Sequence, residues 1–174
     1  MDLSLTIHEA MQHSHAAPTF IRFVNQFNSK LWVLRRLSKF SIDTSQIFDV
    51  YSKEVRSLLK YAVPVWHSGL TRQQTNQIEK IQKTAFRILL GDNYISYDVA
   101  CTLLGVEPLD LRRRQLCLNF SKKDLKKDNT IFKKCPVMPQ TRRVPKLVQE
   151  FLCRTHRYEN SSLPYLSKLL NKQA

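Results

Sequence analysis

Apolar residues recur along this chain at steps of three and four, the spacing that gathers side chains on one side of a helix. The clearest run is Phe20, Val24, Phe27, Leu31 and Leu34, widened by Phe23 and Leu37, with Arg22, Asn25, Ser29 and Arg36 opposite. It predicts an amphipathic helix after a loose leader that ends at Pro18. Beyond a break at Ser41-Ile42-Asp43, the residues Ile47, Tyr51, Val55, Leu58 and Ala62 predict a second helix. Asp43 or Thr44 caps it, and Pro64 kinks or ends it for want of an N–H. The apolar stretch Tyr61-Ala62-Val63-Pro64-Val65-Trp66 suits a core.

Past Gly69, Thr71 and Gln74 have the spacing of a capping box, in which each side chain bonds the other's backbone N–H. The third helix follows. Ile78, Ile81, Ala85, Ile88 and Leu89 form its inner side, Glu79, Lys80, Lys83 and Arg87 its outer side, and Gly91 its stop. Ser96 caps a short fourth helix from Tyr97 to Leu104, ended by Gly105. Pro108 then stands in the first turn of a fifth, where a missing N–H is harmless. Leu109, Leu116 and Phe120 line one side of that helix and Leu111, Leu118 and Leu125 the other, so it is expected to pack between neighbours. From Asp128 to Lys146 the periodicity fails amid Pro136, Pro139 and Pro145, which predicts a basic linker. Leu147, Val148, Phe151 and Leu152 suggest a brief helix, and Leu163 to Leu170 a final one docked on the core.

The fold class expected is all-α: a compact bundle of about five helices with a basic, proline-containing C-terminal extension. Its organisation would be a leader at 1–18, a helical domain at 19–127, and a linker with a short terminal helix at 128–174. Composition agrees, since three glycines in 174 residues are too few for a turn-rich β protein.

Charge changes the picture. The formal net charge is +14. Most of the excess lies between Arg112 and Arg157, where 14 Lys or Arg stand against three acids. Such an excess favours a polyanion, and RNA, DNA or an RNA–DNA hybrid is the expected partner; solvated helix faces are the alternative. The candidate binding residues are Arg112, Arg113, Arg114, Lys122, Lys123, Lys126 and Lys127 on the fifth helix, then Lys133, Lys134, Arg142 and Arg143 in the linker. Positions 112, 115, 119, 122 and 126 share one side of the helix, so Arg112, Lys122 and Lys126 align with Gln115 and Asn119. Binding through such a row would be salt-sensitive and nearly blind to base sequence. Phe20, Phe27, Phe120 and Tyr51 all fall on core-facing stripes, so base-stacking platforms are not expected.

No catalytic residue, metal site or cofactor emerges. No two acids are adjacent, and Glu107 with Asp110, the closest pair, suits a helix N-terminus better than a metal. His13-Ser14-His15 stands in the leader with only Glu9 as a helper. Cys101, Cys117, Cys135 and Cys153 form no C-x-x-C pair, there is no secretory signal, and no apolar run is long enough to span a bilayer. Reduced thiols and an intracellular place, nuclear or cytoplasmic, are the expectation, with no membrane role.

Several stretches also carry a family resemblance. Lys30-Leu31-Trp32-Val33-Leu34-Arg35-Arg36-Leu37 and the run from Tyr61 to Thr71 (YAVPVWHSGLT) are similar to the region after the palm in non-LTR retrotransposon reverse transcriptases. So are Ile78 to Leu89 (IEKIQKTAFRIL), Leu103-Leu104-Gly105, and Leu109 to Phe120 (LDLRRRQLCLNF). Arg154-Thr155-His156-Arg157-Tyr158 and Leu163-Pro164-Tyr165 resemble the family's ending, and order and spacing hold from about residue 28 to Asn171. The resemblance implies a helical, thumb-like module that handles a template–primer duplex, with a palm domain absent from this chain as a second candidate partner. The family's polymerase site is an aromatic-x-Asp-Asp motif, which this sequence lacks; an endonuclease domain has no room either. The resemblance therefore implies a non-catalytic C-terminal fragment of an RNA-directed DNA polymerase. A degenerate transposable-element remnant, or a protein-interaction module with no nucleic-acid role, is the alternative. Asn28 to Trp66 also resembles a short N-terminal piece of an AlkB-type tRNA-modifying protein, but no His-x-Asp pair is present to hold an oxygenase iron.

Overall fold

A computed structural model describes residues 16–40, 42–126, 147–148 and 151–172, with side chains from Val24 onward except at Arg157. The described residues are helical in the main and contain no β-strand, in keeping with an all-α class. No helix among them is long and apolar enough to cross a membrane. Contacts divide the chain into two compact units: Met1–Ala62 with Leu70–Arg112, and Val63–Gly69 with Arg113–Ala174.

In the first unit, α1 (Ala16–Lys39) buries Phe27, Leu31 and Leu34 along one side and exposes Asn25, Ser29 and Arg36 on the other. It begins at Ala16, ahead of Pro18, because a proline in the first turn forfeits no helical hydrogen bond. Asp43 caps α2 (Thr44–Val50) by accepting from the Ser45 N–H at 3.1 Å, and the Ser45 hydroxyl, with that N–H, holds its carboxyl below the ordinary range.

The second helix then widens. Residues Tyr51–Arg56 are π-helical before α3 (Ser57–Lys60) resumes the ordinary pitch. An i→i+5 turn holds more residues than an α turn, so strict steps of four stay on one face. Ile47, Tyr51, Val55 and Leu59 are buried accordingly, and Leu59 takes the place expected for Leu58. The helix ends at Lys60, and its extended C-cap, Tyr61, stands three residues before Pro64. The next residue, Ala62, has φ +49°, a conformation that costs an L-residue roughly 1 kcal/mol.

The second long helix of this unit is α5 (Arg72–Leu90), with α4 (Val63–Trp66) and a 3-10 turn (His67–Gly69) between it and Ala62 in sequence. Its capping box forms in full. The Gln74 N–H donates to Thr71 Oγ1 at 3.2 Å, and the Thr71 N–H donates to Gln74 Oε1 at 2.9 Å. Gly91 closes it at φ +51°. Its buried face is Ile78, Ile81, Gln82, Ala85, Phe86 and Leu89, packed along α1. Gln82 is the one polar member, and it is tied on every side. The Tyr51 hydroxyl donates to its Oε1 at 2.9 Å, while its Nε2 donates to the Tyr97 hydroxyl at 3.0 Å and the Glu107 carbonyl at 3.3 Å. Tyr97 in turn donates to Glu79 Oε2 at 2.8 Å. Burial raises both tyrosines far above the ordinary phenol range, so these donors stay protonated.

Ser96 caps α6 (Tyr97–Leu103), and Gly105 at φ +61° closes it. The Val106 N–H reaches back to the Cys101 carbonyl at 2.8 Å and the Gly105 N–H to that of Thr102 at 3.2 Å, a Schellman ending. After Pro108 comes α7 (Leu109–Leu125), whose first turn counts with the first unit and the rest with the second.

In the second unit α8 (His156–Glu159) leads into α9 (Ser162–Asn171). The latter packs Leu166, Leu169 and Leu170 inward and lies against α4 and the following 3-10 turn. This is the docked terminal helix that the leucine spacing predicts. His67 meets Tyr165 edge to face at 5.5 Å, a packed ring contact. The brief helix expected around Leu147 to Leu152 does not form at the described positions: Leu147 and Val148 make a bend and Phe151 a single bridge. Asn171 takes the available backbone bonds there, accepting from the Val148 N–H at 3.1 Å and donating to its carbonyl at 2.9 Å. The apolar stretch before Gly69 is only half core, since Val63 and Trp66 are buried while Tyr61 and Val65 are exposed.

Candidate nucleic-acid interface

Helix α7 differs from its sequence expectation in an instructive way. Its buried residues are Leu109, Arg113, Cys117, Ser121 and Asp124, at steps of four, four, four and three. Leu111 and Phe120 are exposed instead, and Leu116, Leu118 and Leu125 are half-buried. The inward face lies between the expected leucine stripes and is mostly polar. Arg113 is 0 % exposed and Asp124 3 %, and the Ser121 hydroxyl donates to the Cys117 carbonyl at 2.8 Å. Arg113 is therefore a core residue, out of reach of a phosphate, and Phe120 is not core.

With about 100° per residue, positions 112, 115, 119, 122 and 126 fall on the side of α7 opposite this buried face. Gln115, Asn119, Lys122 and Lys126 are exposed, as are Arg114 and Lys123; the Arg112 side chain is 36 % exposed. Arg112 lies 3.9 Å from Glu107 Oε2. Among the described residues no carboxylate pairs with Arg114, Lys122, Lys123 or Lys126, whereas Lys30, Lys53 and Lys168 each hold one. Lys127, Lys133, Lys134, Arg142 and Arg143, with the linker that carries most of them, lie outside the described residues.

A further cation, Lys60, which the sequence reading missed, feels the charges of both Arg56 and Arg112. Arg56 and Lys60 are one helical turn apart and both half-buried. Burial, then the Arg56 and Arg112 charges, lower the Lys60 ammonium below its ordinary value. The i,i+4 spacing of Arg56 and Lys60 is visible in the sequence, but the proximity of Lys60 to Arg112 is a matter of tertiary packing.

Other chemistry is sparse. Among the described residues no three His, Cys, Asp or Glu side chains gather as a metal would require. Cys101, Cys117 and Cys153 are free thiols; burial raises that of Cys101 and pushes that of Cys117 up to about 12. A hollow of ≈ 280 Å³ lined by residues from Phe151 to Lys168 brings together Cys153, Glu159 and Lys168, but Glu159 and Lys168 already bond each other at 2.6 Å. Compared with known protein families, curated proteins and solved structures, the chain matches none.

Proposed function

We propose that this chain is a non-catalytic helical module, similar to the C-terminal region of non-LTR reverse transcriptases, that holds nucleic-acid backbone non-specifically. The observation that supports it is the row Arg112, Gln115, Asn119, Lys122 and Lys126, outward on α7 and flanked by Arg114 and Lys123. Lysines and arginines are mixed there with amide donors, the groups that bond phosphate oxygens without reading bases. Lys127, Lys133, Lys134, Arg142 and Arg143 of the basic, proline-containing extension add cations in the same reading. RNA, DNA or their hybrid is the partner class.

The test compares the wild-type chain with a variant carrying Gln at 112, 114, 122, 123 and 126, leaving buried Arg113 intact. Affinity for an RNA–DNA hybrid is measured across a salt series. The plot of log affinity against log salt should flatten by about 4.5 in the variant, five cations at roughly 0.9 per lost phosphate contact. Equal slopes would remove α7 from the site.

A second reading, a protein-interaction module, draws on one observation. Ile95, Val99 and Leu103 stand at steps of four on the outer side of α6 and its approach, with Ile95 80 % and Leu103 63 % exposed. Trp32 on α1 and Phe40 just past its end are exposed as well, though the Arg36 guanidinium lies 5.3 Å from the centre of the Trp32 ring. A wild-type chain that self-associates in sedimentation and ignores the hybrid at low salt would favour this reading.

A further inference from the structure

The outer side of α5 carries a row of its own. Arg72, Asn76, Lys80, Lys83 and Arg87 recur at steps of four, four, three and four, and all five are exposed. They run opposite Ile78, Ile81, Ala85 and Leu89, so the helix that packs along α1 turns this row to solvent. At 1.5 Å per residue the row is about 22 Å long. No acid interrupts it: Glu79, the acid of α5, is half-buried and bonded to Tyr97.

Three features set this row apart from an ordinary solvated face. Among the described residues no carboxylate pairs with Arg72, Lys80, Lys83 or Arg87, although surface cations elsewhere in the same unit, Lys30 and Lys53, are paired. Two of the cations are steadied from beneath. Lys83 Nζ lies 5.0 Å from the centre of the Tyr97 ring, and the Arg87 guanidinium 5.3 Å from that of Tyr94. A cation held against an aromatic face has less rotamer freedom to lose when an anion arrives. Finally, a shallow open depression of ≈ 470 Å³ follows the first half of the row, lined by Arg72, Gln73, Asn76, Gln77 and Lys80. Its walls offer ammonium, guanidinium and amide N–H groups, a donor set suited to phosphate oxygens.

We infer that the outward face of α5, from Arg72 to Arg87, is a second nucleic-acid-backbone contact, separate in sequence from the α7 row. The inference rests on the reading that the chain binds nucleic acid. It assigns part of that binding to residues outside the Arg112–Arg157 charge excess. A linear series of unpaired cations at near-regular intervals suits the repeating charge of a phosphodiester chain, and the absence of an apolar side chain in the row leaves little for a protein partner to bury.

The experiment uses the full chain and a fluorescent RNA–DNA hybrid, with affinity read by anisotropy across a salt series. The variants are Arg72→Gln, Lys80→Gln, Lys83→Gln and Arg87→Gln combined, the α7 variant above, and both sets together. The α5 variant should flatten the salt slope by about 3.6, given four lost cations at roughly 0.9 each. The joint variant should show the sum of the two losses. Because Lys83 and Arg87 also touch tyrosines, the pair Arg72→Gln with Lys80→Gln, which spares those contacts, is run beside it and should flatten the slope by about half as much. Lys80→Arg with Lys83→Arg in an otherwise wild-type chain keeps the charge and should keep the wild-type slope.

A wild-type slope in both α5 variants, with loss in the α7 variant, would overturn this inference and leave the α7 reading standing. Loss in the α5 variants alone would support the α5 face and overturn the α7 site. A wild-type chain that ignores the hybrid at low salt would overturn both. Loss of binding to poly-glutamate with unchanged binding to the hybrid would mark an acidic-protein surface and overturn the nucleic-acid assignment.

Discussion

Helices α5 and α7 are both long and basic, yet they are built on opposite inner faces. The inner face of α5 is five apolar residues around one glutamine, and that glutamine's bonds run to Tyr51, Tyr97 and the Glu107 carbonyl. The inner face of α7 is a leucine and a cysteine among an arginine, a serine and an aspartate. An apolar inner face tolerates small errors of fit because burial is non-directional. A polar one requires each group to meet a partner and penalises every loss heavily. Polarity alone therefore does not separate the surface of these helices from their core.

The comparison breaks most sharply at Arg113. Arg113→Ala removes a fully buried cation from the α7 inner face and should lower unfolding free energy by about 3 kcal/mol or more, read from urea denaturation. The neighbouring Arg114→Ala, on the exposed side, should stay within about 0.5 kcal/mol of wild type. If the two variants were equally stable, the polar inner face of α7 would lose its meaning.

At Gln82 the effect should be intermediate. Gln82→Leu fills the same space but strips the acceptor from the buried Tyr51 hydroxyl, at a cost of about 1–3 kcal/mol in the same assay. A neutral outcome would mean that α5 relies on apolar packing alone. The smallest effect is at the surface, where Thr71→Ala removes one side of the capping box and should cost about 1 kcal/mol. Amide exchange should quicken in the first turn of α5 and stay unchanged in α7.

The contrast also explains what was legible beforehand. The faces of α1 and α5 were readable because leucine, isoleucine and phenylalanine repeat at the helical period, and the caps at Asp43, Thr71 and Ser96 because short side chains bond their own backbone nearby. Leu59 rather than Leu58 faces inward because a π-helical stretch resets the period without any marker in composition. On α7 the leucines drew attention to the flanks, while the buried row consisted of residue types that usually face water. The exposed side of α7 was placed correctly at 115, 119, 122 and 126, but Arg113, counted among the binding residues, belongs to the core. The α5 row was visible only in part, as Lys80, Lys83 and Arg87. Local spacing does not reveal which surface cations lack a carboxylate, because their neighbours come from other parts of the chain.

Burial of Cys117 has a kinetic corollary. Its thiol is fully enclosed and its pKa pushed up to about 12, burial outweighing the pull of the Arg113 charge, so the nucleophilic thiolate is withheld from solvent while α7 stays packed. On unfolding, the thiol returns to an ordinary value near 8.5. The folded state thus retains a proton that the unfolded chain gives up, and stability declines as pH rises past the ordinary thiol range. At mildly alkaline pH, alkylation of Cys117 then proceeds only as fast as the helix opens. The residue is a built-in clock for the breathing of the second unit.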